Sequence, residues 1–180
     1  SIKNVDISAD GSYIVAGEHG NSSSAKIYLF DKSLTDDGPL WEYSTSASYI
    51  HRLEISADGS TIATQIFASS EQIIVFDVSS DTPLWMKSVD SHSSGLDISA
   101  DGNYIYYTDR QDTSHFSLRV HSRISSTPLW VVNLGYTNCC YDQNDLRSLV
   151  SVSADGQSIA VARDDSIFLF DIDNEIPVWT

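Results

Sequence analysis

Four of the five histidines in this 180-residue chain, His19, His51, His92 and His115, lie in short polar segments that differ from one another. These are EHGNSSSA (residues 18–25), SASYIHR (46–52), DSHSSG (90–95) and DRQDTSH (109–115). Imidazoles on separate loops could ligate a metal if the fold made them converge, or supply polar contacts to a bound partner. Arg52, Arg110 and Arg147, with Tyr49, Tyr136 and Tyr141, add the cationic and aromatic groups of a recognition surface, with Tyr49 as an apolar anchor. A second set is carboxylate: Asp6, Glu54 and Asp97 recur at one position of a repeated apolar-alternating run, with Ser151 in the fourth copy. Three carboxylates around a channel could hold a hard cation such as calcium through oxygen; alternatively each is hydrogen-bonded to a neighbouring element or wetted by water. Cys139 and Cys140 are adjacent, so between themselves they can form only a strained small-ring disulfide that closes no loop. No Ser-His-Asp order, paired carboxylates, phosphate-binding glycine loop or Cys-x-x-Cys pair appears, and no catalytic residue is assigned.

The elements that must carry these residues are written by an internal repeat. Ser-Ala-Asp-Gly begins at Ser8, Ser56, Ser99 and Ser153, and Pro-(Leu/Val)-Trp ends at Trp41, Trp85, Trp130 and Trp179. Between these landmarks stand KIYLFD, QIIVFD and SIFLFD, with SLRVHS in the third copy. Period-two runs such as Val5/Ile7, Leu53/Ile55, Leu96/Ile98 and Val150/Val152 precede the Asp-Gly turn, and a β-rich run follows it, which is a hairpin signal. Adding the apolar run and the run opened by Trp gives four strand-like pieces every ~45 residues, the pattern of one propeller blade. The expectation is an all-β chain forming a partial β-propeller domain over residues 1–180, a segment of a larger ring, with four four-stranded antiparallel blades near 1–45, 46–90, 91–135 and 136–180; a self-associating half-ring is the alternative. The Trp residues are expected to pack between successive blades. Asp31, Asp77 and Asp171 precede polar turns, where a side-chain bond to the backbone is the ordinary use of Asp. Turns after the first and third strands leave at one end and carry the repeated motifs. Turns after the second and fourth leave at the other end and carry the divergent, His-bearing segments.

The stretch SADGSYIVAG…KIYLFD resembles a WD-repeat, with LFD where that family has an aromatic-Asp pair and no Gly-His pair ahead of the first strand. LFDKSLTDDGPLWEYST is also similar to the repeat of pyrroloquinoline-quinone-type propellers, though the usual Thr-Gly before the Trp strand is absent. The resemblance covers essentially the whole chain and implies the scaffold rather than an activity. The quinone-dependent branch implies a catalytic reading of Cys139–Cys140 as a vicinal disulfide beside the cofactor.

A net charge of −15 with ten Lys and Arg is the wrong sign for gripping nucleic acid, and no apolar run is long enough to insert into a membrane. The acidic, Ser-rich surface leans toward an extracellular or cell-envelope setting, with the cytoplasm as the alternative. Four copies are few for blades of this length, so the expected partners include further blades, from the same chain or from a second copy. The functional expectation is a non-enzymatic scaffold that binds a protein, peptide or glycan through the divergent face, with no cofactor. The alternatives are a quinoprotein-like oxidoreductase module using quinone and calcium, and a purely structural surface array.

Overall fold

A computed structural model describes residues 1–20, 24–33, 38–89, 95–110, 115–136, 149–163 and 165–180, with residues 110 and 136 described by their backbone alone. Among these residues every regular element is a strand. The first sheet holds β1 (Ile2–Ile7), β2 (Tyr13–Glu18), β3 (Lys26–Asp31) and β4 (Trp41–Ser44). The second holds β5 (Tyr49–Ile55), β6 (Thr61–Phe67), β7 (Glu71–Asp77) and β8 (Pro83–Val89). The third holds β9 (Leu96–Ile98), β10 (Tyr104–Arg110), β11 (His115–Ser122) and β12 (Pro128–Tyr136), and the fourth β13 (Leu149–Val152), β14 (Ser158–Arg163) and β15 (Ser166–Asp171). Each sheet is an antiparallel meander of consecutive strands, one blade of a β-propeller. The fourth blade departs from the four-stranded expectation. Its outer strand is one antiparallel bridge between Leu169 and Trp179.

The recurring Ser-Ala-Asp-Gly is a closed hydrogen-bond unit. Ser8 Oγ donates to Asp10 Oδ1 at 2.8 Å, and the same carboxylate oxygen accepts the Ser12 N–H at 2.9 Å. The Gly11 N–H returns to the Ser8 carbonyl at 2.8 Å, and the Tyr13 N–H donates to Ser8 Oγ at 3.0 Å. The equivalent bonds form at Ser56, Ser99 and Ser153. Gly11, Gly59, Gly102 and Gly156 sit at φ of 69°, 74°, 69° and 70°, a left-handed conformation that favours glycine. Hydrogen bonds from the Ser12 side chain and backbone, then from Ser8, hold the Asp10 carboxyl down at about 2.

A second reason for the glycine lies between blades. A Cβ on Gly59 would stand 2.9 Å from the Tyr13 ring and 3.4 Å from Ser8 Cβ of the blade before it. One on Gly156 would meet Ser99 Cβ at 3.5 Å, and one on Gly102 would meet Ser56 Oγ at 3.1 Å. The turns are therefore stacked from blade to blade, glycine against serine.

The core is three slabs, one at each junction. Val15, Ile27 and Leu29 pack on Leu53, Ile62, Ile74 and Phe76 at the first. Ala63, Ile73, Val75 and Trp85 meet Leu96, Ile98, Ile105 and Tyr107 at the second, and Leu118, Val120 and Trp130 meet Ile159, Val161 and Phe170 at the third. As the sequence leads one to expect, Trp41, Trp85 and Trp130 lie between blades. Trp41 lies tilted against Phe76, Trp85 stacks on His121 and Trp130 lies tilted against Phe170, with ring centroids 5.6, 5.2 and 6.2 Å apart. Their indole N–H groups donate to the carbonyls of Val78, Arg123 and Ile172 in the following blade, at 2.9, 2.9 and 2.7 Å. Trp179 differs: it is 51% exposed. The alternating residues of β1 differ likewise, with Val5 and Ile7 68% and 54% exposed while Leu53, Ile55, Leu96 and Ile98 are buried.

Candidate functional site

Two places carry the chemistry singled out by the sequence. The first is the divergent end of the first and second blades. His19 follows the last residue of β2, while Tyr49 and His51 stand at the start of β5. Ladder pairing from the Asp-Gly turn runs Ile55 to Ile62, Glu54 to Ala63, Leu53 to Thr64 and Arg52 to Gln65, then shifts register between Ile50 and Arg52. His51 is the extra residue of this bulge, and the slip brings Tyr49 opposite Phe67 rather than Ala68. The result is an aromatic cluster. Tyr49 stacks on His19 at 5.6 Å and on Phe67 at 5.3 Å, and meets His51 edge-on at 4.8 Å; His51 meets Phe67 at 6.2 Å.

Polar groups frame these rings. Asn4 Nδ2 donates to the His51 carbonyl at 3.1 Å, which ties the bulge to β1. His51 Nε2 lies 3.9 Å from Oε1 of the buried Glu71, whose other oxygen accepts from Gln65 Nε2 at 3.0 Å. Burial lowers the His51 pKa below the usual imidazole value; the Glu71 carboxylate opposes that shift, while Arg52 and His19 reinforce it. His51 itself stays exposed, and His19, Tyr49 and Phe67 are half-buried, so among the described residues the cluster presents ring surface to solvent.

His19, Tyr49 and His51 were legible as candidates, and the structure gathers them. Phe67 and Glu71 were not singled out as site residues, although their segment, FASSE, falls on the divergent end: they close the β6–β7 hairpin, where Phe67 pairs with Glu71, and the bulge sets Tyr49 opposite Phe67. Arg52, half-buried, follows His51 on β5 and lines the second place described below. His115 and residue 110 flank the β10–β11 turn on the same end of the third blade, and His115 pairs in the ladder with residue 136. His92, Cys139, Cys140, Tyr141 and Arg147 lie outside the described residues, as do the side chains of Arg110 and Tyr136.

The second place is the line of first strands. Asp6 Oδ1 accepts the Ile7 N–H and its Oδ2 the Ile55 N–H of the next blade, each at 2.8 Å. Asp97 repeats this with Ile98 at 2.8 Å and with Val152 of the fourth blade at 2.7 Å. Both carboxylates are thus staples between blades, which is the hydrogen-bonded alternative for these positions. Glu54 stands between them beside a cleft of about 250 Å³ lined by Arg52, Asp97, Leu96, Leu149 and Val150. Burial first, then the charges of Asp6 and Asp97, push the Glu54 carboxyl up to about 7. Among the described residues no three His, Cys, Asp or Glu side chains are grouped so that they could hold a metal ion. The carboxylates of Asp6 and Asp97 join neighbouring blades.

No protein-family model matches the chain, and no curated protein sequence does. Solved structures do: the chain is similar to the propeller in a structure titled "Structure of Dos1 propeller", with a TM-score of 0.65 at 13% sequence identity. The match covers 96% of this chain and 42% of that one, so this chain spans less than half the length of the propeller it resembles. Likeness at that identity shows the fold alone.

Proposed function

We propose that this β-propeller is a non-enzymatic scaffold that binds a protein, peptide or glycan through the cluster of His19, Tyr49, His51 and Phe67 on its divergent end. The observation that carries this reading is the bulge at His51, which puts solvent-facing rings beside a buried carboxylate on a rigid sheet. Aromatic rings with polar neighbours supply contact area at small entropic cost, and loops at the end of a β scaffold are where binding groups collect. The repeated Ser-Ala-Asp-Gly turns, by contrast, are consumed by their own hydrogen bonds and by the blade behind them. The repeat resembles those of the WD and quinoprotein propellers in its Ser-Ala-Asp-Gly, Phe-Asp and Trp landmarks, and the scaffold role is the part of that resemblance taken up in this reading.

A pull-down and a glycan-array screen identify the partner, after which two double variants are compared. Tyr49→Ala/His51→Ala should lose binding while keeping the β-sheet circular dichroism of the parent. Asp58→Asn/Asp101→Asn should bind normally but melt at lower temperature. Loss of binding in the second pair but not the first, both still folded, would place the site on the opposite end and overturn the reading.

A further inference from the structure

One row of side chains runs across a single face of the second sheet: Tyr49 pairs with Phe67, Phe67 with Glu71 and Glu71 with Val89, on β5 to β8. Directly paired residues of an antiparallel ladder share a face, with Cβ atoms about 4.5 to 5.5 Å apart. The row therefore sets two aromatic rings beside a carboxylate. His19 extends it from the first blade, so that His19, Tyr49 and Phe67 form a run of rings inclined by 27° and 18° to one another. His51 crosses the row, edge-on to Tyr49 and Phe67, with its Nε2 beside Glu71.

Glu71 stands one residue before QIIVFD. Ala25 and Phe116, both buried, hold that place in the first and third blades. A carboxylate carries a desolvation cost there that apolar packing avoids. Charge decides what such a row suits. The chain carries −15, and its described cations serve the fold: Lys26 pairs with Glu42, Arg119 with Asp109 and Arg123 with Asp77, while Lys87 donates to the Ser126 carbonyl. Arg52 lines the axial cleft with Glu54 and Asp97. Burial lowers the His51 pKa, so His51 is uncharged at pH 7. Ring faces and a carboxylate both attract a cation, and the surplus negative charge of the chain steers one toward them. A guanidinium suits the row better than an ammonium, because it is flat enough to lie along inclined rings and presents paired N–H groups to a carboxylate.

We propose that the cluster recognises an arginine side chain of a protein or peptide partner, held against the rings of Tyr49 and Phe67 with its charge balanced by Glu71. This rests on the scaffold reading above and narrows it from a protein, peptide or glycan to an arginine-bearing chain. Apart from His19, every group named belongs to the second blade, and the blades on both sides of it are in the chain. The number of blades in the ring does not enter.

N-acetyl-arginine amide and its citrulline counterpart test the proposal, since citrulline keeps the length and planarity of the side chain and lacks its charge. Each is titrated at millimolar concentration into the isotopically labelled 180-residue chain, at pH 7.5 and fixed ionic strength, and followed by NMR. The arginine probe should shift the signals of Tyr49, His51, Phe67 and Glu71 saturably, and the citrulline probe should bind about tenfold more weakly. Phe67→Leu and Glu71→Gln should each weaken the arginine probe about tenfold, toward the affinity of citrulline. If Glu71→Gln loses its β-sheet circular dichroism, Phe67→Leu decides. Equal affinity for the two probes, shifts confined to other parts of the chain, or undiminished binding in the folded variants would overturn the proposal. A pull-down partner that is nonetheless lost with Tyr49→Ala/His51→Ala would then leave the scaffold reading standing and the arginine assignment refuted.

Discussion

His121 is the residue whose chemistry departs most from its repeat. Phe30, Phe76 and Phe170 hold the same position in the other blades, and in the third an imidazole lies between Trp85 and Tyr107, 5.2 Å from each ring. It is fully buried, and burial lowers its pKa to about 4, against a weaker upward pull from its contact with the Ser125 carbonyl. The folded chain therefore holds His121 neutral between about pH 4 and 6.5, where the unfolded chain binds a proton, and stability falls as pH drops through that window. His121→Phe restores the repeat residue and removes the titration. Compared with the parent, it should gain about 3 kcal/mol at pH 4 relative to its effect at pH 7.5, read as the difference in urea midpoints. Equal effects at the two pH values would show that the imidazole does not titrate across folding. At this scale the sequence was readable where a residue repeats and silent where one departs, since SLRVHS announces an exception without showing the rings that enclose it.

At the scale of the element, the hairpin turn combines local and non-local demands on a single glycine. Gly38 has φ of 81° with nothing within 4 Å of where its Cβ would be, whereas Gly102 has φ of 69° and its Cβ would stand 2.7 Å from Thr61 Oγ1 and closer still to Ser60 Oγ. Both lose the freedom of glycine on substitution, at roughly 1 to 2 kcal/mol for the left-handed conformation. Gly102→Ala must also displace the preceding blade. Its thermal midpoint should fall clearly below that of Gly38→Ala, and equal midpoints would mean that the stacked turns yield freely. The turn, the strands around it and the class of fold were all legible from Asp-Gly flanked by period-two runs. The bulge at His51 was not, because a bulge is one surplus residue fixed by the partner strand, and His51 carries no local mark of it. The candidate site therefore came out half complete: Tyr49 and His51 were readable as surface residues and Phe67 to Glu71 as a segment of the same end, while the shifted register decides that Phe67 faces Tyr49.

Across the whole molecule, stability is a sum over neighbouring blades rather than one shared core. Each of the three apolar slabs belongs to one junction, and the Trp at that junction adds an indole bond. Truncating Trp85, 8% exposed, should cost about 3 to 5 kcal/mol. By uncoupling the first two blades from the last two, Trp85→Ala should also spread the urea transition, with a lower slope than the parent. An unchanged melting temperature in a soluble Trp85→Ala chain would contradict its place in the scaffold. The four blades within these 180 residues and the between-blade role of Trp41, Trp85 and Trp130 were readable from the repeat. The direction of each junction was not, because a Trp recurring in every copy does not say which neighbour receives its N–H.

That direction has a consequence for the order in which the protein can be made. Every indole bond reaches forward, from Trp41 to Val78, Trp85 to Arg123 and Trp130 to Ile172, over separations of 37, 38 and 42 residues. A blade leaving the ribosome is thus incomplete until most of the next has been translated, about 2 to 8 s later at ordinary synthesis rates of roughly 5 to 20 residues per second. During that interval the Trp face of the newest blade is bare, and a chaperone that recognises exposed aromatic surface would meet the same binding site once per repeat, each time displaced by the arriving strand.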